Sequence, residues 1–233
     1  MSKMFPFITT TWNPLGGECL HYCSYCWAKD LIAKYSMPKY MGPPKIIVKE
    51  LNRQFKETDF VFVSDMCDLF GHWVPSDMIQ RILGQLGFLS QAQFLLLTKN
   101  PARYLEFDLP SNAVAGATIE SDRNFELTGP PQMSRIETMR KLKHKRKFVS
   151  VEPIMMFDQD FPYEIASIHP EFIAVGYDNY NHGLREPSLS ETEGLISVCE
   201  DFGIKVYRKT IREKHAVLDC EKEQQDLKQG RGI

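Results

Sequence analysis

Seven short runs of apolar and β-branched residues alternate along the chain with helix-like segments, and this order constrains the fold more than any other feature. The runs occupy residues 7–12, 60–64, 93–99, 113–120, 147–153, 172–178 and 204–210. Helices are predicted between them at residues 27–35, 46–56, 76–89, 100–106, 132–145, 162–168 and 190–202. Strands that are almost continuously apolar and are separated by helices pair in parallel and are buried on both faces. The sequence therefore predicts an α/β protein.

Some helix ends carry a local signal. Ser76 follows a proline and is predicted to cap the third helix, and Ser190 is predicted to form a capping box with Glu193. Gly203 is predicted to end the last helix before the final strand. These signals support the helix boundaries given above.

Polar residues follow nearly every predicted strand. They are Ser64-Asp65, Thr98-Lys99, Thr118 with Glu120, Ser150 with Glu152, Asp178-Asn179 and Arg208-Lys209. A β/α barrel builds its site from the carboxyl ends of many strands, whereas a doubly wound sheet concentrates its site at one switch point. The pattern favours a partial (β/α)6-type TIM barrel over residues 1–210, because a full eight-unit barrel typically takes about 250 residues. Residues 211–233 are predicted to form a polar C-terminal tail.

The composition is typical of a globular protein in a reducing compartment. The 233 residues are 43% hydrophobic and 25% charged, with a net charge of −2. The first residues lack the apolar core of a secretory signal, and no apolar run approaches the ~20 residues of a membrane-spanning helix. Six unevenly spaced cysteines do not resemble a secreted disulfide framework. We expect a cytoplasmic protein, without membrane contact, whose thiols are reduced or bound to metal.

Three cysteines, Cys19, Cys23 and Cys26, lie within eight positions in the loop after the first predicted strand. A structural zinc site needs four ligands, and His21 or Cys67 is the candidate for the fourth. Three thiolates also suit a 4Fe–4S cluster, because cysteine thiolates bind cluster irons and three of them leave one iron open to another ligand. Three inert buried thiols would not account for their position in a loop rich in glycine and polar residues.

The segment GGECLHYCSYCWA resembles the signature of the radical S-adenosylmethionine (radical SAM) superfamily, in which an aromatic residue, here Tyr25, precedes the third cysteine. The resemblance implies an enzyme with a partial β/α barrel, whose open iron binds the amino and carboxylate groups of S-adenosyl-L-methionine (SAM). It implies reductive cleavage of SAM to a 5′-deoxyadenosyl radical, driven by a reductant such as flavodoxin or ferredoxin. It does not identify the substrate.

A longer set of motifs is similar to a phage and prokaryotic branch of that superfamily. The motifs are TTWNP, VFVSDMCDLFG, FLLLTKNP and FVSVEP, and the similarity runs through most of residues 8–210. The branch often has Gly-Gly-Glu after its sixth strand, where this chain reads VGYDNYN. Asp178 or Asn179 is the candidate substitute for that acidic residue.

The resemblance also implies roles for polar residues at the strand ends. Ser64 and Asp65 lie where radical SAM enzymes bind the SAM amino group, and Thr118 and Glu120 lie where they bind ribose hydroxyls. Lys209 is expected to neutralise the SAM carboxylate. The full predicted cofactor-binding set is Tyr25, Ser64, Asp65, Lys99, Thr118, Glu120, Glu152 and Lys209, and the predicted metal ligands are Cys19, Cys23 and Cys26.

Two of these carboxylates have alternative partners. Glu152 either binds SAM or substrate, or forms a salt bridge to Lys99 or Lys209 across the barrel mouth. Glu120 either binds ribose or pairs with Arg123 on the surface. The sequence leaves both pairs of alternatives open.

Two functions are compatible with these features. The first is a radical SAM enzyme acting on a macromolecule or on a target presented by another protein, because no second domain covers the open side of a partial barrel. The second is a zinc- or iron–sulfur-binding structural or adaptor protein without SAM chemistry. The basic run at residues 140–147 is expected at the opposite edge of the barrel, where it complements a helix C-terminus.

Overall fold

Parallel strands form the centre of the computed structural model, which describes residues 4–125 and 129–212. The strands are β1 (Thr10–Trp12), β2 (Leu15–Gly16), β3 (Lys45–Ile46), β4 (Phe60–Val63), β5 (Gln93–Thr98), β6 (Ala113–Thr118), β7 (Lys147–Val151), β8 (Phe172–Val175) and β9 (Lys205–Arg208). The α-helices are α1 (Trp27–Tyr35), α2 (Val48–Leu51), α3 (Ser76–Phe88), α4 (Gln132–Lys141), α5 (Phe161–Ala166) and α6 (Leu189–Asp201). Short 3₁₀ segments occupy Pro38–Tyr40 and Pro101–Glu106.

The main sheet has the order β1-β4-β5-β6-β7-β8-β9, and every neighbouring pair of its strands is parallel. The seven predicted strands and the α/β class are therefore confirmed. The sheet curls into a half-barrel surrounded by helices. In the described residues β1 and β9 each pair with one neighbour in this sheet, so the side between them is open.

Alternate residues of the strands pack into two separate cores. Val61 and Leu96 belong to the large core between the sheet and the helices. Phe62 and Leu95, one position away, belong to a second core inside the half-barrel. Because successive side chains of a strand point to opposite faces, this alternation identifies which residues face inward along each strand.

Aromatic side chains from before β1 fill the half-barrel at the N-terminal ends of its strands. The Phe5 ring lies edge-on to Phe148, with centroids 5.3 Å apart. The centroid of Phe7 is 4.9 Å from that of Phe172 on β8 and 4.7 Å from that of Tyr207 on β9. Phe7 therefore spans the open side between β1 and β9 at this level, and we call this aromatic cluster the floor of the half-barrel.

An antiparallel pair, β2 with β3, was not predicted and lies immediately before the three cysteines. A Cβ on Gly16 would lie 2.5 Å from the carbonyl oxygen of Lys39, and Gly17 has φ +101° with its Cβ position 2.6 Å from the carbonyl oxygen of Pro43. Only glycine allows so close an approach and that backbone conformation. The two glycines therefore let residues 38–46 pack directly against the start of the cysteine loop.

The helices match the predicted positions, although two are shorter than predicted. The segment predicted as a helix at 46–56 contains β3 and only the four residues of α2. The segment at 132–145 is helical only to Lys141. None of the helices in the described ranges is long and apolar enough to cross a bilayer.

Two predicted helix caps are wrong. The Ser76 hydroxyl accepts a hydrogen bond from Arg103 Nη2 (3.0 Å) instead of capping α3, which begins after Pro75 without a side-chain cap. The capping box of α6 is formed by Ser188 and Glu191, two positions before the predicted pair. Both errors have one cause, because a serine near a helix start has several backbone and side-chain partners within reach.

The end of α6 follows the prediction. Gly203 has φ +75°, and the backbone N–H of Ile204 donates to the carbonyl of Cys199 (3.0 Å). This left-handed glycine ends the helix and turns the chain into β9. The predicted tail lies largely outside the described residues, since residues 213–233, including Cys220, are among those not described.

Candidate functional site

Inward-facing positions become charged just beyond the carboxyl ends of the strands. Lys99 follows β5, Glu120 follows β6, Glu152 follows β7 and Lys209 follows β9. Lys99 Nζ is 2.6 Å from Glu120 Oε1, and Lys209 Nζ is 2.6 Å from Glu152 Oε1. The structure therefore brings these four predicted site residues together as two ion pairs at one edge of the half-barrel.

The first pair is part of a buried network that contains a second cation. Arg135 of α4 donates through Nη1 to Glu120 Oε2 (2.9 Å) and to the carbonyl of Thr118 (2.9 Å). Glu120 and the Arg135 side chain are fully buried. Burial raises the pKa of Glu120, but the charges of Lys99 and Arg135 outweigh it and lower the pKa to about 2. Glu120 is therefore an ionised carboxylate clamped between two cations, and the alternative in which it pairs with Arg123 on the surface is wrong.

Tyr25 connects this network to the cysteine loop. Its hydroxyl donates to Glu120 Oε1 and accepts from Lys99 Nζ, and Lys99 Nζ also lies 4.4 Å from the centroid of the Tyr25 ring. Burial, followed by the Glu120 charge, raises the pKa of Tyr25 well above its usual range. Tyr25 is therefore a neutral phenol that fixes the cysteine loop over the ends of β5 and β6.

Cys19, Cys23 and Cys26 are half-buried, and no disulfide joins cysteines within the described residues. Burial, followed by the Asp68 carboxylate, raises the pKa of Cys19 to about 12, and the Cys23 thiolate adds to this effect. Burial also raises the pKa of Cys26, although backbone N–H groups in the first turn of α1 oppose it. The Cys23 charge acts on Cys26 as well, so the three thiols are electrostatic neighbours.

No three His, Cys, Asp or Glu side chains in residues 4–125 and 129–212 converge on a position that one metal ion could occupy. The donor chemistry at the loop is three thiols. Cys67 lies near them: burial, followed by the Cys19 thiolate, raises the pKa of Cys67, and its thiol contacts the carbonyl oxygen of Leu15 at 3.5 Å.

His21, which lies between the first two cysteines, is engaged by a carboxylate. Its Nε2 is 2.7 Å from Asp68 Oδ2, and both residues are buried. Asp68 Oδ2 also accepts from the Thr98 hydroxyl (2.8 Å) and from the backbone N–H of Lys99 (2.9 Å). Burial would raise the pKa of Asp68, but these hydrogen bonds and His21 hold it below its usual value. Asp68 thereby joins the cysteine loop to the end of β5.

Ser64 and Asp65 follow β4 in a left-handed turn, with φ +58° at Ser64. The Ser64 hydroxyl is buried and has no hydrogen-bond partner among the described residues. Asp65 accepts from Asn13 Nδ2 (2.6 Å), and burial raises the pKa of its carboxyl. The strained turn therefore buries one hydroxyl without a partner beside a desolvated carboxyl, and both belong to the predicted cofactor-binding set.

The second ion pair, Glu152 with Lys209, joins the ends of β7 and β9 across the end of β8, which lies between them in the sheet. A Cβ on Gly176, just after β8, would lie 3.0 Å from Lys209 Cβ and 3.4 Å from Glu152 Oε1. The Glu152–Lys209 pair, rather than a pair with Lys99, is thus formed over a residue without a side chain. Burial raises the pKa of Glu152, and Lys209 opposes that rise. The pair depends on the space that Gly176 leaves.

Replacing Gly176 by valine is therefore expected to separate Glu152 from Lys209. Overpacking a close contact of this kind costs about 1–3 kcal/mol. Urea denaturation measures the loss. Gly194 in the middle of α6 provides the control, because a Cβ there meets nothing within 4 Å and Gly194→Ala should stabilise the helix by about 0.5–1 kcal/mol. Equal stability of Gly176→Val and the unaltered protein would contradict the close contact.

The loop after β8, which contains Asp178 and Asn179, forms a local hydrogen-bond network. The Asp178 carboxylate accepts from the backbone N–H of Tyr180 (3.0 Å) and lies 2.8 Å from His182 Nδ1. Asn179 accepts from the Thr210 hydroxyl. The Asp178 side chain therefore stabilises this loop, and the Asn179 side chain connects it to Thr210 after the last strand.

Arg135 is the one member of the clamp that the sequence did not single out. The available signal in the sequence was that this arginine lies next to Ile136 and near Met139, two apolar residues that are buried on α4. An arginine in such a position must reach a partner, because a buried charge without one is strongly destabilising. Its partner lies 15 residues away, beyond the range of a helix pattern.

No curated protein and no solved structure matches the chain. A family model with the description "Protein of unknown function (DUF5131)" matches residues 3–182. The match includes the three cysteines, Tyr25 and the clamp formed by Lys99, Glu120 and Arg135. It covers well over half of the chain, which therefore belongs to the DUF5131 family.

Proposed function

We propose that the protein is a radical SAM enzyme that binds a 4Fe–4S cluster through Cys19, Cys23 and Cys26. When bound, such a cluster supplies the electron that cleaves SAM to a 5′-deoxyadenosyl radical. The substrate is a macromolecule or a target presented by a partner, and the electron comes from a donor such as flavodoxin or ferredoxin. The chain's own residues hold the cofactors and exclude water from them.

One observation carries this proposal: Tyr25, inside the cysteine loop, is bound by Lys99 and Glu120 at the ends of β5 and β6. This contact holds the thiols at the edge of the half-barrel where the strands end. In β/α barrels, that edge is where sites are built. The attachment consists of a buried lysine and a buried glutamate, so it fixes the position of the loop relative to the strand ends.

The number of thiols also supports a cluster. Three cysteine thiolates bind three irons of a 4Fe–4S cluster and leave the fourth iron open to another ligand, whereas a structural zinc site needs a fourth protein ligand. Cys26 precedes α1, whose first-turn N–H groups oppose the rise that burial causes in the pKa of Cys26.

The Glu152–Lys209 pair and the polar groups at the neighbouring strand ends form the proposed SAM site. Lys209 is held by Glu152, whose carboxyl is already partly desolvated. A carboxylate from SAM would replace or share that contact, because a lysine ammonium has three donors. Thr118 lies at the end of β6 for the ribose, Glu120 holds that strand end in place through the buried clamp, and Ser64 offers a buried hydroxyl without a partner in the described residues. Asp65 is the proposed partner of the SAM ammonium.

The alternative is a structural iron–sulfur or zinc protein without SAM chemistry, and the position of Cys67 favours it. Cys67 lies close enough to Cys19 for the Cys19 charge to raise its pKa. As a fourth thiolate ligand it would close the site and leave no iron open. The two functions therefore differ in whether Cys67 is needed and in whether SAM reaches the cluster.

Addition of SAM to the reduced, anaerobically reconstituted protein is expected to change the EPR spectrum of the cluster. The open iron would gain a nitrogen and an oxygen ligand from SAM. Dithionite with SAM should then release 5′-deoxyadenosine slowly, which liquid chromatography measures. An unchanged spectrum, together with loss of the cluster in Cys67→Ala, would establish the structural alternative instead.

A further inference from the structure

Residues 27–57, which we call the basic segment, carry a charge opposite to that of the rest of the chain. The segment contains six lysines and one arginine against three acidic residues, which gives a net charge of +4. The whole chain has a net charge of −2, so the remaining residues together carry −6. A local excess of this kind steers a partner of opposite charge toward one face of the protein.

The basic segment is also largely exposed. Within it only Ala28, Tyr40 and Phe55 are buried. Large apolar side chains are exposed to solvent: Tyr35 is 62% exposed, Met41 57% and Val48 62%. Exposed apolar residues among charges are typical of protein interfaces, which combine an apolar centre with a charged rim.

Most of the lysines in the segment are available to a partner. Lys39 pairs with Glu50 (3.3 Å), and Lys45 donates to two backbone carbonyls. Lys29, Lys34, Lys49 and Lys56 are exposed and form no salt bridge with any described residue. These four charges therefore face solvent without compensation.

The segment lies directly beside the cysteine loop. The backbone N–H of Gly17 donates to the carbonyl of Lys39 (2.9 Å), and that of Glu18 donates to the carbonyl of Gly42 (2.8 Å). At its other end, α1 begins at Trp27, immediately after Cys26. A protein bound to the basic segment would therefore lie next to the three thiols.

We propose that the basic segment is the docking surface for a small acidic protein that delivers single electrons to the cluster site. This inference rests on the proposed function for the identity of the acceptor. One electron leaves the reduced flavin or iron–sulfur centre of the partner, which is oxidised, and the cluster held by the three cysteines is reduced by that electron.

The chemistry of the segment fits a transient protein partner better than a nucleic acid. Electron-transfer encounters have small interfaces and depend on steering by flexible charges. The uncompensated cations of the segment are all lysines, whereas Arg53 is turned inward to the Thr11 carbonyl and the Thr10 hydroxyl. The exposed apolar side chains would remain unused against a phosphate backbone, which is bound chiefly by Lys and Arg contacts.

The test compares the unaltered protein with the triple charge reversal Lys29→Glu, Lys34→Glu and Lys49→Glu. Binding of a purified, acidic flavodoxin is measured by fluorescence anisotropy at low and at physiological ionic strength. The unaltered protein should bind, with affinity that falls as salt is added. The reversal should weaken binding at least about tenfold at low salt.

A matched control reverses three exposed lysines at the opposite edge, Lys141, Lys143 and Lys145, which precede the start of β7. This control should bind the flavodoxin like the unaltered protein. If the first reversal fails to fold, as judged by circular dichroism, neutral glutamines at the same three positions replace it. The expected weakening is then smaller but retains the same salt dependence.

Cluster reduction supplies the second readout. Reduced flavodoxin should reduce the reconstituted cluster of the triple variant about tenfold more slowly than that of the unaltered protein. The small reductant dithionite should reduce both equally. Failure of the unaltered protein to take up a cluster would reject the proposed function, and the binding measurement would still decide whether the surface exists.

Three results would overturn the docking proposal. The first is the absence of flavodoxin binding to the unaltered protein at low salt. The second is binding that the triple reversal leaves unchanged or that the control reversal weakens equally. The third is tight binding of duplex DNA that the triple reversal abolishes, which would assign the basic segment to a nucleic acid.

Discussion

Replacement of Cys19, Cys23 or Cys26 by alanine is expected to abolish the bound iron–sulfur cluster. Each thiolate of a three-cysteine site binds a separate iron, so the loss of one leaves two irons without a protein ligand. Iron and acid-labile sulfide, counted after anaerobic reconstitution, should fall from about four of each per chain to near zero. The absorption of the cluster in the visible region should disappear with them.

The controls are the cysteines outside the loop. Cys199 is fully buried on α6 among apolar residues, and Cys199→Ala should retain the full cluster at a stability cost of a few kcal/mol at most. Cys67→Ala should also retain it if one iron is open. A full cluster in any of the three loop variants would refute the ligand assignment.

The second large effect is expected at Glu120, whose replacement by alanine should destabilise the protein by about 3–5 kcal/mol at pH 7. The substitution would leave Lys99 and Arg135 buried without the carboxylate that both contact. Urea denaturation provides the measurement. Glu120→Gln separates charge from shape, because the amide retains one acceptor oxygen but cannot balance either cation.

Glu171→Ala is the matched control, since Glu171 forms a salt bridge with Arg146 at 2.9 Å that is partly exposed to solvent. Exposed pairs contribute about 0–1 kcal/mol, so this variant should unfold at nearly the same urea concentration as the unaltered protein. Similar losses in Glu120→Ala and Glu171→Ala would show that the buried clamp does not stabilise the fold.

The same carboxylate gives the stability a pH dependence. The pKa of Glu120 is about 2 in the folded protein, below the value of about 4.3 that a glutamate has in an unfolded chain. Its contribution is therefore fully present above about pH 5.5 and is lost as the pH falls toward 2. The difference corresponds to roughly 3 kcal/mol. Glu120→Gln should remove this part of the acid dependence.

The strands and their order could be predicted because their physical cause is local. A buried parallel strand is apolar on both faces, so runs such as 93–99 and 147–153 are visible without any tertiary information. The polar residues at the ends of those runs then locate one edge of the sheet. Lys99, Glu120, Glu152 and Lys209 were accessible to sequence reasoning for this reason.

The partners of those residues could not be predicted, because partners are chosen by distances in space. Glu120 had a cation three positions away in Arg123, but that side chain is 2.7 Å from Asp158. The buried position of Glu120 instead places it against Arg135 on a helix. The β2–β3 pair was missed as well, because strands of two residues leave no periodic pattern.

The floor of the half-barrel has a consequence for how the chain folds during synthesis. Phe7 contacts Tyr207, so the floor includes a contact between residues that are 200 positions apart. Contacts between such distant residues form late, since closing so long a loop costs entropy before any contact compensates it. The inner core must therefore remain open to water until the last strand has left the ribosome, and a chain that ends before Tyr207 cannot close it.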